Sequence, residues 1–420
     1  MTTGAFEDIT TELKNAYPPG TFEEPINKEA PYRKSLQRVK LKMHDGIAKF
    51  PLGIASAWNV GLIADVGDFP VPRDPTRVQG EVTPELFVGS MQIGVKTKAA
   101  AKNKVGTFND GGILPDRVEK TTEDVGKYMN RVYVGSHVAR LAIVESNSGG
   151  AVLVLQKPMG AYLLEKNMSI EVRDALTGGA VRGTATARLI TVINKDTREI
   201  TYSGANEATI AAGDHVFITG TYGRTVHTLP MIVGNSTDFA TFFGQSRSTY
   251  PELNAFIEDG PGGLRNLTEQ LVLAAIDKPR RQVGKKINRL LSNSGQGRKF
   301  VEFIQGERRY PGPTGSAPKY TIGYDEDSLQ VLAPGVNVKL EIDFDVHPRR
   351  IYGLSWETFG LYEAMPLDWI DDDALLKMIP TDGGHKAGFL AYLGSVENQI
   401  NTMPQSCFRM GNLADSLAGD

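Results

Sequence analysis

Residues 67–85 read GDFPVPRDPTRVQGEVTPE, a stretch with four prolines, Pro70, Pro72, Pro75 and Pro84. Each proline removes a ladder donor, which confines the stretch to a loop or a sheet edge. The flanks, GIAKFPLGIASAWNVGLIADV (46–66) and LFVGSMQIGVKTKAAA (86–101), have the β-branched and aromatic content of strands. Together they predict a long two-stranded hairpin with an irregular, polar tip. A lone hairpin is marginal in water, so a projecting one needs something to lie on. Trp58, Phe69 and Phe87, on or beside the hairpin, would be apolar liabilities on an isolated subunit. For Trp58, packing within its own chain is the alternative.

The segment before the hairpin has no core of its own. A short helix is expected near residues 8–16, followed by Pro18, Pro19, Pro25 and Pro31 with polar residues between them. Such a segment is either a disordered leader or an arm that orders on a partner. After the hairpin, residues 116–146 predict a long helix, with Val118, Val125, Met129, Val132, Ala139 and Ile143 near one face. Pro115 and Asp116 suit its start, and 147–150 its end. Gly126 and Gly135 count against it, each costing up to ~1 kcal/mol relative to Ala. Residues 168–222 switch to short strands punctuated by TGG, NKDT and AAGD, the pattern of a small β-module. Residues 236–310 are mostly helical, with Leu267, Leu271, Ala274 and Ala275 on one face; 335–402 return to strands and short helices. No fixed-period repeat is evident, which argues against solenoids and propellers.

Composition narrows the function by exclusion. The longest apolar run, 271–276, is far short of the ~20 residues of a membrane span. No basic-then-apolar start suggests a secretory signal. With Cys407 as the single cysteine, an intramolecular disulfide and a cysteine zinc cage are both impossible. A net charge of −3 over 420 residues is unlike a dedicated nucleic-acid binder. No phosphate loop, dinucleotide fingerprint, zinc helix or nucleophile elbow occurs. The six histidines are scattered, although a triad assembled in space would leave no such trace. Asp371–Asp373 read as a solvated turn, with cation ligation as the alternative. Two basic clusters remain: Arg33, Lys34, Arg38, Lys40 and Lys42, and Lys278, Arg280, Arg281, Lys285, Lys286 and Arg289. Each is either a wet surface or a face for an anionic partner. The second cluster reads as a helix broken by Pro279 and Gly284.

The order of these pieces resembles a tailed-bacteriophage major capsid protein with the Hong Kong 97-type shell fold. GQSRSTYPELNAFI (244–257), LLSNSGQGRKFVEFIQGERRY (290–310) and PRRIYGLSWETFGLYEAMPLDWIDDDALL (348–376) resemble stretches of that family in the same order. Residues 170–202 do so as well, with Ile170 where the family stretch begins with Val. The resemblance implies an α+β subunit with an N-terminal arm (1–45), an E-loop hairpin (46–105) and a spine helix with the first part of a P-domain (106–167). A small inserted β-module (168–222), an A-domain (223–335) and a returning P-domain with the C-terminus (336–420) would follow. It implies a coat protein that assembles through hexamers and pentamers into an icosahedral head around double-stranded DNA, bound without sequence specificity. No catalytic, cofactor-binding or metal-binding residues, no cofactor and no membrane partner are implied. Further partners would be a portal, decoration proteins and a separate scaffold. The last follows from Met1 opening the chain, which argues against a scaffolding segment cut from the front. The location would be the virion, after assembly in the host cytoplasm. Trp58, Phe69, Pro70 and Phe87 would be inter-subunit contacts. Arg33, Lys34, Arg38, Lys40, Lys278, Arg280, Arg281, Lys285 and Lys286 would face the interior. Lys96 and Lys98 lie on the hairpin flank, but no cross-link is expected. A nanocompartment shell of the same fold, loaded with enzyme cargo, and a cytosolic enzyme without a recognisable motif are the rival readings.

Overall fold

A computed structural model describes residues 22–57, 59–63, 68–94, 113–135, 139–183, 186–260, 262–306, 329–333, 336–370, 377–381 and 384–415. The chain forms two compact units, each drawn from three stretches. One takes Met1–Lys40, Thr83–Asn130 and Leu361–Asn398; the other takes Leu41–Val82, Arg131–Gly360 and Gln399–Asp420.

The smaller unit is built on helix Ile113–Asn130, whose Val118, Thr122, Val125 and Met129 recur at helical spacing and are buried. That stripe covers a mixed-length sheet ordered Gln37–Val39, Phe359–Trp369, Gly384–Asn401, Lys377–Thr381. Strand Glu85–Gly94 also pairs with Gly384–Asn401, antiparallel, from Glu85↔Glu397 to Gly94↔Gly388. Strand Glu85–Gly94 is therefore not the return arm of the hairpin. Pro84, just before it, separates the two strands, and the alternation of Val78, Gly80 and Val82 marks the true partner. Phe87 follows the same logic: it is buried under the helix, its ring edge-on to Tyr128 at 6.1 Å.

The short helix Glu23–Glu29 crosses the long one at Gly126. A Cβ on Gly126 would stand 3.3 Å from Ile26 Cα and 3.2 Å from Glu29 Cβ, so the glycine that weakens the helix is what admits its neighbour. Helix Pro31–Ser35 then carries Arg33 into the interior. Its guanidinium is bidentate on Glu397, Nε donating to Oε1 at 2.8 Å and Nη2 to Oε2 at 2.5 Å, with Glu363 Oε1 at 3.3 Å. Arg38 reaches the other side of Glu363 (Nε to Oε2, 3.6 Å) and donates to Glu23 Oε1 at 2.8 Å. Burial pushes the Glu363 carboxyl up despite both arginines.

The larger unit holds two cores. One lies in a closed barrel ordered Glu199–Tyr202, Val152–Leu155, Ala142–Gly149, His215–Ile218, Ser169–Arg173, Arg188–Asn194. Its interior is filled by residues such as Leu153, Leu155, Ile170, Val172, Ile190, Ile200 and Val216. The barrel thus begins at Ala142, where the sequence predicts helix. The long helix stops at Asn130, a π-turn spans Arg131–Gly135, and 147–149 end a barrel strand that turns at 150–151 into the next. Val132, Val134, Ile143 and Val144 are β-branched, which lowers their helix propensity, and Gly135 lies where a Cβ would collide with Asp345 O.

The other core lies in a six-stranded sheet ordered Phe256–Asp259, Phe408–Gly411, Ile351–Leu354, Arg289–Ser292, Val336–Ile342, Leu329–Ala333. Its central strands Ile351–Leu354 and Phe408–Gly411 are buried along their whole length. Helix Glu269–Val283 packs on it through Val272, Ala275 and Ile276, whereas Ala274, placed on that face by the sequence, is exposed. Thr268 Oγ1 caps its start by accepting from Leu271 N–H (3.3 Å), and left-handed Gly284 ends it. Pro279 does not break this helix. It is buried within it, and the burial of its ring offsets the lost donor. Arg409 is held inside by Asp238 (2.8 Å) and Asp259 (2.6 Å).

Removing one partner of a buried ion pair leaves the other charge uncompensated. Arg33→Met should therefore destabilise the protein by about 3–5 kcal/mol in urea unfolding, and the Arg33→Met/Glu397→Met double variant should recover most of that loss.

Candidate assembly surface

The hairpin belongs to the larger unit. Strand Ile47–Ala55 pairs antiparallel with Thr76–Val82, from Ala48↔Val82 to Ala55↔Thr76, with a register shift between Gly53 and Ala55. A third strand, Met43–His44, is joined to it by a tight turn with Asp45 (φ 51°) and Gly46 (φ 79°), the conformation an Asp-Gly hairpin turn requires. The base is anchored by packing. Ala48, Phe50, Leu52 and Val82 are buried, and Phe50 meets Phe243 edge-on at 5.0 Å. Glu81 N–H donates to Phe243 O (2.9 Å), and Gln245 Nε2 to Gln79 O (2.7 Å).

The tip is the reverse. Every described residue from 59 to 63 and from 68 to 75 is exposed. Val60 (82%), Leu62 (106%), Phe69 (83%) and Val71 (74%) stand almost wholly in water, with Ile63 half exposed. The tip still has a fixed shape at its neck. Asn59 Nδ2 donates to Arg73 O, and Arg73 N–H donates to Asn59 Oδ1, both at 2.8 Å. One side chain thereby ties the two limbs as a pair of ladder bonds would. Large apolar side chains on a pinned, protruding ribbon are the mark of a surface meant to be covered.

Of the residues singled out from sequence, Phe69 and Pro70 lie on this exposed tip. Trp58, Lys96, Lys98, Asp371–Asp373 and the helix expected near 8–16 fall outside the described residues. Phe87 is a core residue of the other unit and not a free contact. Arg33 is likewise no surface cation: it is buried on Glu397 and Glu363 because an unpaired guanidinium could not be desolvated there. Lys34, Arg38 and Lys40 are exposed, Arg38 within ion pairs to Glu23 and Glu363. Lys278, Arg280, Arg281 and Lys286 are exposed and Lys285 half-buried, with Lys278 paired to Glu258. Sequence reasoning passed over Val60, Leu62, Ile63 and Val71. Their signal was apolar residues inside a stretch too rich in Gly and Pro to bury them.

No group of three or more metal-ligating side chains occurs among the described residues, and no described helix is long and apolar enough to cross a membrane.

No family model and no curated protein matches the sequence. Solved structures do. The capsid asymmetric unit of cyanophage A-1(L) is similar over 91% of this chain and 93% of its own, with a TM-score of 0.51 at 12% identity. The chain has the fold of a phage capsid subunit. Two further structures align less closely: the capsid of an empty GTA particle, over 92% and 90% of the two chains (TM-score 0.44, 7% identity), and an encapsulin complex from Synechococcus elongatus, over 90% and 86% (0.39, 9%). Of the three, the cyanophage capsid alone bears on the fold.

Asn59→Ala should leave the melting temperature within about 1 °C but raise hydrogen exchange at the Arg73 amide at least tenfold, since that amide loses its acceptor.

Proposed function

We propose that this chain is the major capsid protein of a tailed bacteriophage, assembling through hexamers and pentamers into an icosahedral shell around double-stranded DNA. The observation that carries the proposal is the apolar tip, left in water on a chain with the fold of a capsid subunit. Seating Leu62, Phe69 and Val71 on neighbouring copies would yield about 1.5–3 kcal/mol per side chain, repeated at every contact of a shell. A separate scaffold, a portal and decoration proteins would be its further partners, and the host cytoplasm the place of assembly.

The tip is tested directly by the Leu62→Asp/Phe69→Asp/Val71→Asp variant. The purified subunit should keep its circular dichroism spectrum and melting point, because these side chains are exposed, while negative-stain images show no closed shells where the wild type forms them. Wild-type-like particles from this variant would refute the proposal. Shells that enclose enzyme cargo and no DNA would support the nanocompartment reading instead.

The basic stretch at 278–286 is the inner-wall candidate. A bulky, impermeant amine reagent should label Lys278, Lys285 and Lys286 at least fivefold less in intact particles than in dissociated subunits, as read by mass spectrometry. Equal labelling would place the stretch on the outer surface.

A further inference from the structure

The hairpin holds its place on the larger unit by contact alone. The chain enters the stretch Leu41–Val82 from Lys40 and leaves it to Thr83, and both of those residues belong to the smaller unit. Neither limb of the hairpin is therefore continuous with the rest of the larger unit. Its three strands pair only with one another. Among the described residues, one backbone hydrogen bond joins them to the rest of that unit, from Glu81 N–H to Phe243 O (2.9 Å). Gln245 Nε2 donates to Gln79 O (2.7 Å), and the ring of Phe50 meets that of Phe243 edge-on at 5.0 Å. All three contacts end on residues 243–245.

Those residues make a turn that is itself unfavourable. Thr241–Phe242 pairs with Gln245–Ser246, Phe242 opposite Gln245, so Phe243 and Gly244 are the two loop residues. Both have positive φ, 46° and 81°. A two-residue loop of this shape favours Asn-Gly, because other L side chains are crowded against the backbone at the first position. Gly244 suits its place, whereas a bulky Phe243 is an outlier there. Such a conformation persists only where the surroundings over-determine it. Here the ring is buried, stacked on His227 (4.2 Å, 24° between planes) and edge-on to Phe242 (4.6 Å) as well as to Phe50. The turn thereby aims both a ring and a carbonyl at the hairpin.

We propose that the Phe243–Gly244 turn is a latch, from which the hairpin Leu41–Val82 is released as one piece while both its ends stay joined to the smaller unit. Latched, the hairpin holds its tip in one direction; released, it carries the tip elsewhere with its strands still paired. Release exposes Phe50, Leu52 and Val82, which are buried, so the open state is rare and becomes commoner in denaturant. The backbone at Phe243 works toward release, since it relaxes to negative φ once the ring is free. The latch belongs to the single subunit, so its test does not depend on shell formation.

The test is hydrogen exchange of the full chain, read by mass spectrometry over urea concentrations below the unfolding transition. Segments 47–55 and 76–82 should lose protection together, through an opening at least about tenfold more populated than that of strands Ile351–Leu354 and Phe408–Gly411 of the same unit. Strand Glu85–Gly94, just beyond the hairpin, should keep its protection. Phe243→Ala should raise exchange in the two hairpin segments at least about thirtyfold and in the two sheet strands less than about threefold. Should that variant fail to fold, Gly244→Ala decides the question. A Cβ there meets nothing closer than Glu81 at 3.9 Å, so it acts through the positive φ alone, and hairpin exchange should rise about threefold or more. Hairpin exchange only through global unfolding, with the urea dependence of the sheet strands, overturns the latch. So does an equal rise throughout the larger unit in the variants, or a loss of protection in Glu85–Gly94 that accompanies the hairpin's.

Discussion

Leu62 and Phe69 stand in water at the end of a two-stranded ribbon whose base is locked by Phe50, Phe243 and a backbone bond from Glu81. The base makes the ribbon a fixed part of its unit, while the tip exposes apolar side chains that the chain does not cover. This mismatch is the constraint on which a reading of the molecule depends. In the proposed shell, neighbouring copies would bury this surface, and the gain would repeat at every contact. The Asn59–Arg73 tie fits the same picture, because a tip pinned before contact loses less entropy on docking than a floppy one.

Charge is handled in two opposite ways. Arg33 and Arg409 are buried, and each is met by two carboxylates, so desolvation is offset and the elements they join are fixed. Arg140 is instead pushed down to about 10, first by burial and then by Arg350.

Much of the fold was legible. The 3–4 spacing of Val118, Val125 and Met129 belongs to a real helix, the turn-rich run after residue 168 belongs to the barrel, and Gly284 ends the helix it follows. The failures share a cause. Periodicity carried the helix past Asn130 because Val132, Ala139 and Ile143 keep the spacing by chance, although their β-branched neighbours suit strands. The hairpin's return arm was placed at 86–101 because LFVGSMQIG has more strand character than RVQGEV, yet its partner is residues 388–397, a pairing no local pattern encodes. The exposed tip was half legible: Phe69 and Pro70 stood out, while Leu62 and Val71 did not.

By itself, the sequence determined that a proline-studded hairpin would project, that stability could not come from disulfides, and that no familiar catalytic motif is present. These follow from local chemistry: missing donors, a single thiol, absent residue types. Only the tertiary structure decided that Arg33 and Phe87 are interior, that Gly126 and Gly135 mark close approaches, and that Arg140 meets His215. Burial and proximity across hundreds of residues are properties of packing, which a one-dimensional pattern does not contain.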